Sequence, residues 1–200
     1  MTRRARPARA TPALDRVLEH LEALVDLPGA PGHEAPVAAH VRSALEPHAD
    51  VTTDVHGSLV AAVPRDGHDA PRLVWAAHLD EVALVVRGIE PDGFLRVAPL
   101  GSLGADAASG RVVRVGEVFG VVGARAGHYR TEQDAPPGIA DLFVDVGAAD
   151  PVEVAAAGIV VGTPVTLAEP LRRFGRDRSW LVGHALDNRI GVALLLTLVE

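Results

Sequence analysis

Two sets of polar residues follow apolar runs at widely separated points of this sequence. His78 and Asp80 come directly after the uncharged run 73–77, within "RLVWAAHLDEVALVV". Such a run predicts a buried strand that delivers polar side chains at its carboxyl end. Because side chains alternate along a strand, His78 and Asp80 should lie on one face while Glu81 faces away. An imidazole beside a carboxylate suits a metal site, where the carboxylate ligates the ion or orients the ring. An ordinary hydrogen-bonded His–Asp pair is the alternative.

The second set is in "WLVGHALDNRIGVALLL", more than a hundred residues further along the chain. The pattern predicts a strand at 180–182, a turn, and a helix with Val192 and Leu196 on its apolar face. Asp187 falls at or just before the start of that helix, where a carboxylate is electrostatically favourable. By itself Asp187 could be a plain N-cap. Together with His78 and Asp80, it predicts part of a two-metal hydrolase site in which one carboxylate bridges both ions.

Composition limits what kind of protein this is. The 200 residues are 48% hydrophobic and 22% charged, which fits one large globular domain or two small ones. A net charge of -7 argues against a nucleic-acid partner, because phosphate binding needs a concentrated basic face. The absence of cysteine excludes disulfides, thiolate zinc sites and a cysteine nucleophile. No apolar run is long enough to predict a membrane span, no secretory signal follows the N-terminal arginines, and the predicted location is the cytoplasm.

The remaining sequence predicts short elements in a definite order. Residues 1–10 should be a disordered basic tail, and Thr11 should cap a helix that starts at Pro12. A second helix should follow "PGAPGHE", and then two strands at 51–55 and 59–63. After Asp80 the sequence pattern changes to short apolar segments separated by Gly, Pro and Asp. This pattern predicts a β-rich module that contains one short helix capped by Asp150. The polar stretch 125–138, which contains His128, should be a surface loop.

As an ordered set, four segments resemble one family of co-catalytic metallo-aminopeptidases. The segments are "PGAPGHE", "AAHLDEVALVVRGIEPDGFLRV", "DLFVDVGAADPVEVAAAGIVVGTPV" and "VGHALDNRIGVALLL". The family includes glutamyl aminopeptidases, deblocking aminopeptidases and tetrahedral (TET) peptidases, some of them labelled endoglucanases. The resemblance covers almost everything from Leu14 to Glu200 and matches only the N-terminal portion of the family's sequence.

The resemblance implies an α/β fold with two domains. A zinc-exopeptidase-like, three-layer α/β/α catalytic domain, here incomplete, would comprise residues 14–81 and 170–200, after a tail at 1–13. A β-rich dimerisation domain at 82–169 would be inserted into it. The family assembles through that insertion into dimers and often dodecamers, so a homo-oligomer is expected.

The resemblance also implies roles for individual residues. His78 would be a terminal ligand of one metal ion, Asp187 would bridge two divalent ions, zinc or cobalt, and Asp80 would support His78 from behind. The family's general base and other ligands, a Glu-Glu pair followed by an Asp and a late His, have no counterpart here. Glu200 stands alone in its helix and is not assigned that role. The chain is therefore expected to be part of a longer enzyme and inactive alone.

Three functions remain open at this point. The leading interpretation is a metal-dependent aminopeptidase that releases N-terminal residues from peptides. A related dinuclear deacylase or carboxypeptidase would share His-x-Asp and the bridging Asp, but it joins them by a much shorter connection. A non-catalytic assembly protein would keep the insertion without the complete catalytic half.

Overall fold

The computed structural model describes residues 12–64, 73–124 and 138–200. Over these ranges the chain is mixed α/β and divides into two compact units. Unit 1 takes its described residues from 12–27, 35–79 and 170–200, and unit 2 takes them from 28–34 and 80–169. The predictions for the basic tail, for Thr11 and for the loop around His128 fall on residues outside the described ranges.

The helices and strands have the following bounds. The helices are α1 Pro12–Val25, α2 Ala35–Leu45, α3 Ala105–Ala108, α4 Pro151–Ala156 and α5 Leu186–Val199. The strands are β1 Asp50–Thr53, β2 Leu59–Ala62, β3 Ala83–Ile89, β4 Leu95–Leu100, β5 Val112–Val115, β6 Val118–Ala124, β7 Leu142–Asp145, β8 Pro164–Leu167, β9 Arg172–Phe174 and β10 Trp180–Val182. No helix in the described ranges is both long and apolar enough to cross a membrane.

Unit 1 is built around three packed helices. The helix predicted from Pro12 is α1, and its buried apolar side chains pack against α5, while α2 completes the cluster. The buried side chains of this cluster are Val17, Leu21, Leu24, Val25, Val37, Val41, Leu45, Val192, Ala193 and Leu196. Two antiparallel two-stranded sheets, β1–β2 and β9–β10, accompany the helices. The three-layer arrangement stays a prediction.

Unit 2 is a closed six-stranded barrel. Its strands follow the order β3-β4-β7-β6-β5-β8, and every neighbouring pair is antiparallel. Aliphatic side chains from all six strands fill the interior: Leu84, Val86, Leu95, Val97, Val113, Val115, Val122, Leu142, Val144 and Val165. In an open sheet of such short strands, the backbone N–H and C=O groups of the edge strands would be unpaired. Closure of the barrel gives these groups hydrogen-bond partners.

The short helix α4 begins as the sequence predicts. The Asp150 carboxylate accepts hydrogen bonds from the backbone N–H groups of Val152 and Glu153, and Pro151 occupies the first turn. Glu153 in turn accepts from the backbone N–H of Ala149. Gly158 then adopts a φ of +77°, which ends the helix at low steric cost.

The predicted buried strand at 73–77 is wrong. Residues 73–80 have no regular secondary structure, and Leu73, Val74 and Trp75 are 75%, 87% and 62% exposed. An apolar run becomes a strand only where a neighbouring strand takes its backbone hydrogen bonds. The two small sheets of unit 1 are formed by β1 with β2 and by β9 with β10, and neither includes this segment.

Candidate metal centre

Asp187 lies at the entrance of α5 rather than within a regular turn. Both Asp187 and Asn188 have non-helical backbone angles, the peptide bond between them is cis, and Ala185 adopts left-handed angles with a φ of +52°. The capping hydrogen bond comes from Asn188, whose Oδ1 accepts from the backbone N–H of Gly191 at 3.0 Å. Because Asn188 caps the helix, the Asp187 carboxylate does not serve as the N-cap and can contact a side chain outside the helix.

His78 is the partner that the structure gives to Asp187. Its Nε2 lies 3.0 Å from Oδ1 of Asp187, although the two residues are 109 positions apart in the chain. The side chains are 50% and 95% exposed, so this is a solvated pair. An exposed ion pair contributes about 0–1 kcal/mol to stability, and the fold gains little from bringing these two groups together.

The geometry of the pair fits two ligands of a single divalent ion. Ligands of one tetrahedral zinc ion lie about 3.3 Å apart, because zinc binds nitrogen and carboxylate oxygen at about 2.0–2.2 Å. The two side chains would separate by only a few tenths of an ångström to admit an ion. Zinc takes about four ligands, however, and no group of three or more His, Cys, Asp or Glu side chains placed to hold an ion occurs in 12–64, 73–124 and 138–200. The contact between His78 and Asp187 thus brings together two groups of the kinds that bind zinc, fewer than the about four that the ion takes.

Asp80 and Glu81 follow His78 closely in sequence but belong to unit 2. Asp80 is half-buried, and its supporting role behind His78 stays a prediction, because a segment that is not a strand does not fix which side chains share a face. Glu81 is only 4% exposed. Its backbone N–H donates to the carbonyl of Gly29 at 2.9 Å, and its Oε1 accepts from the N–H of Gly29 at 3.0 Å. Nothing in the periodicity of the sequence indicates this anchoring of the "PGAPGHE" turn.

A family model described as M42 glutamyl aminopeptidase matches residues 57–200, which include His78, Asp80 and Asp187. The chain belongs to the M42 glutamyl aminopeptidase family. Lysyl aminopeptidase of Pyrococcus furiosus is 32% identical over 181 residues, covering 86% of this chain and 51% of the relative.

Solved structures show the same relationship. Aminopeptidase APDkam598 from Desulfurococcus kamchatkensis is similar with a TM-score of 0.82 at 30% identity, over 93% of this chain and 52% of that one. The TET1 peptidase of Pyrococcus horikoshii is similar with a TM-score of 0.76 at 26% identity, over 90% and 54% of the two chains. This M42 chain thus spans about half the length of the relatives it matches.

Proposed function

We propose that this M42 chain forms part of a metal-dependent aminopeptidase and supplies two of its metal ligands. The observation that carries the proposal is the contact between Nε2 of His78 and Oδ1 of Asp187. The contact joins an imidazole and a carboxylate that are 109 positions apart, so local structure does not explain it. The chain that contains this contact belongs to the M42 family. Family membership favours this activity over a deacylase or a carboxypeptidase.

The proposed roles of the site residues are those that the family resemblance implies. His78 and Asp187 would hold the divalent ions, and Asp80 would orient the His78 ring and raise its basicity. When bound, two divalent ions, zinc or cobalt, would acidify a water molecule and polarise the scissile carbonyl of a peptide. The general base and the remaining ligands would come from the half of the relatives' length that this chain does not span.

Substrate and compartment are also part of the proposal. The substrate is the N-terminal end of a peptide, which is supported by the aminopeptidase names of the relatives. The composition without cysteine fits the reducing cytoplasm as the compartment.

The proposed assembly is a homo-oligomer, a dimer or a dodecamer, formed through the region 82–169. The TET1 peptidase, which resembles this chain, can assemble into a tetrahedron or a large octahedral shell. On the barrel of unit 2, the paired residues Val112 and Val121 are both about half exposed, and so is Phe119. The guanidinium of Arg114 lies 5.0 Å from the Phe119 ring centroid on the same hairpin. We call Val112, Phe119 and Val121 the hairpin patch, and a second copy would cover it.

Metal binding tests the proposal directly. Titration of the purified chain with Co²⁺, followed by visible absorption and calorimetry, should show binding that His78→Ala and Asp187→Asn each weaken at least about tenfold. Asp80→Asn should weaken binding by about tenfold as well, because supporting carboxylates contribute at that scale. His56→Ala, at an exposed turn of unit 1, is the matched control and should bind as the unchanged chain does.

Activity is the second measurement. The chain is mixed with a separately produced polypeptide equivalent to the remaining half of the P. furiosus lysyl aminopeptidase and loaded with Zn²⁺ or Co²⁺. Cleavage of aminoacyl-anilides that depends on Asp187 is the expected result. Metal affinity that is unchanged by His78→Ala and Asp187→Asn would contradict the proposal, and a well-folded oligomer without metal affinity would support an assembly role instead.

A further inference from the structure

The hairpin of β9 and β10 concentrates positive charge in an acidic chain. Between residues 172 and 178 there are four arginines and one aspartate, whereas the whole chain has a formal net charge of -7. All four arginines are exposed: Arg172, Arg173, Arg176 and Arg178. No salt bridge joins any of the four to a carboxylate within 12–64, 73–124 and 138–200. Their guanidinium groups are therefore accessible to an anionic ligand.

The register of the two strands places an aromatic pair on the solvent side of this hairpin. Trp180 lies opposite Phe174. Val182 lies opposite Arg172 two residues further along, so these four side chains share one face. Leu181 is on the other face and packs against the helical cluster of unit 1. The rings of Phe174 and Trp180 are 50% and 53% exposed, with centroids 6.3 Å apart.

The turn between the strands brings two of the arginines close to this aromatic pair. A Cβ added at Gly175 would lie 2.9 Å from Cδ1 of Trp180, so the indole ring lies against the turn. The carboxylate in the turn has an internal role, because Oδ1 of Asp177 accepts a hydrogen bond from Oγ of Ser179 at 2.8 Å. The same turn thus carries Arg176 and Arg178 beside the rings.

The hairpin belongs to the same unit as Asp187 and lies near it along the chain. Leu171 and Leu186, on either side of the hairpin, both pack against the helical cluster. A Cβ added at Gly183 would lie 3.2 Å from Cα of Leu171, so the two ends of the hairpin are in close contact. Only five residues lead from Val182 to Asp187, and they span at most about 18 Å. An extended peptide covers that distance with about five residues.

Arginines beside aromatic rings are suited to an acidic peptide. A guanidinium group binds a carboxylate through two parallel hydrogen bonds, and an aromatic ring supplies apolar contact area. A nucleic acid is disfavoured, because a chain with a net charge of -7 repels a dense polyanion.

We infer that an acidic segment of the peptide substrate, about five or more residues from its N-terminal end, binds to this hairpin. The residues that bind it, which we call the arginine site, are Arg172, Phe174, Arg176, Arg178 and Trp180. The inference rests on the proposed function, because a peptidase is the kind of protein that receives such a ligand.

Binding to the arginine site needs neither metal nor a free N-terminus, so it is measured separately from the metal centre. The probes are two N-acetylated peptides of equal length, one with a run of glutamates and the other with glutamines in their place. The sequence has two tryptophans, so Trp75→Phe leaves Trp180 as the single fluorophore of the full chain. The test variant combines Arg176→Gln with Arg178→Gln. Arg87→Gln, at an exposed arginine of β3, is the matched control.

Fluorescence and calorimetry at low salt give the affinities, and thermal unfolding checks that each variant folds. We expect the glutamate peptide to bind at least about tenfold more tightly than the glutamine peptide. The affinity should fall as salt is added, because salt screens exposed charges. The double variant should lose at least about tenfold in affinity for the glutamate peptide, and the Arg87 control should lose none.

Three results would overturn the inference. One is equal affinity for the two peptides, and another is equal affinity of the double variant and the Arg87 control for the glutamate peptide. The third is tighter binding of a single-stranded RNA oligonucleotide that the double variant loses, because a nucleic acid would then be the occupant. Metal affinity that is insensitive to His78→Ala and Asp187→Asn, together with intact binding of the glutamate peptide, would contradict the proposed function alone.

Discussion

At the residue scale, one carboxylate connects two helices of unit 1. The Glu200 side chain accepts hydrogen bonds from Nε and a terminal nitrogen of Arg16 on α1, and it lies 3.0 Å from Nε2 of the buried His20. These hydrogen bonds, led by those from Arg16, lower the pKa of Glu200 from its usual 4.5 to about 2. Glu200 therefore has a structural contact in this chain.

The Glu200 contact predicts a pH dependence of stability. A carboxyl whose folded pKa lies below its unfolded pKa stabilises the fold above the unfolded value and loses that contribution as the pH falls through the folded value. The Glu200→Gln variant should therefore be less stable than the unchanged chain at pH 7, by about 1 kcal/mol or less because Arg16 is exposed. The difference should shrink between pH 4.5 and about 2. Urea unfolding across this range is the measurement.

The control for this prediction is Glu19→Gln. Glu19 also accepts a hydrogen bond from Arg16, but its side chain is more exposed than that of Glu200. Its replacement should cost less stability at pH 7. A Glu200→Gln difference that stays constant down to pH 2 would show that the charge of Glu200 contributes nothing.

At the element scale, the side chain that caps the start of α5 lies against a glycine of the same helix. A Cβ added at Gly191 would lie 2.1 Å from Oδ1 of Asn188, the atom that caps the helix. Replacing a glycine inside a helix by alanine usually stabilises by about 1 kcal/mol. Here the new methyl group must displace the cap, whose loss costs about as much.

A double-mutant cycle tests this coupling. Gly191→Ala should change the unfolding free energy little in the natural sequence, but should stabilise by about 1 kcal/mol when Asn188→Ala has already removed the cap. Chemical unfolding of the four proteins gives the cycle. Equal stabilisation in both backgrounds would mean that Asn188 does not cap α5.

The turn between β3 and β4 depends on Gly93. This glycine has a φ of +82°, and a Cβ there would lie 2.1 Å from the carbonyl oxygen of Ala148, which is backbone and cannot rotate away. Gly93→Ala should therefore destabilise the barrel by about 2 kcal/mol or more. In thermal unfolding, Gly88→Ala is the control, since its new methyl group would make an ordinary van der Waals contact with Cβ of Arg96 at 3.8 Å. Equal losses in the two variants would contradict this.

At the scale of the whole molecule, the proposed homo-oligomer predicts how the mass of the particle responds to a substitution. If the hairpin patch is covered by a second copy, Val121→Asp should place a charge in a dry interface and reduce the mass measured by light scattering to that of one chain. Val152→Asp, an equally drastic change at an exposed valine of the same unit, should leave the mass unchanged. Monomeric behaviour of the natural sequence at micromolar concentration would remove the hairpin patch as an interface.

Local patterns were sufficient for much of the fold. Three predictions rest on residues close together in sequence: the start of α1 at Pro12, the cap at Asp150 and the β-rich character of unit 2. Helix and strand periodicity and capping are short-range effects, so local sequence is enough to predict them. The same reasoning failed at 73–77, where the residue types favour a strand but a strand also needs a neighbour.

The sequence by itself determined the family resemblance, the types of the candidate ligands and the presence of a β-rich region between them. Only the tertiary structure decided that six short strands close into a barrel, that Glu81 anchors Gly29, and that His78 lies 3.0 Å from Asp187. The reason is that each of these depends on backbone or side-chain partners from distant parts of the chain. Periodicity says which face of a segment is apolar, but it does not say which segment will cover that face.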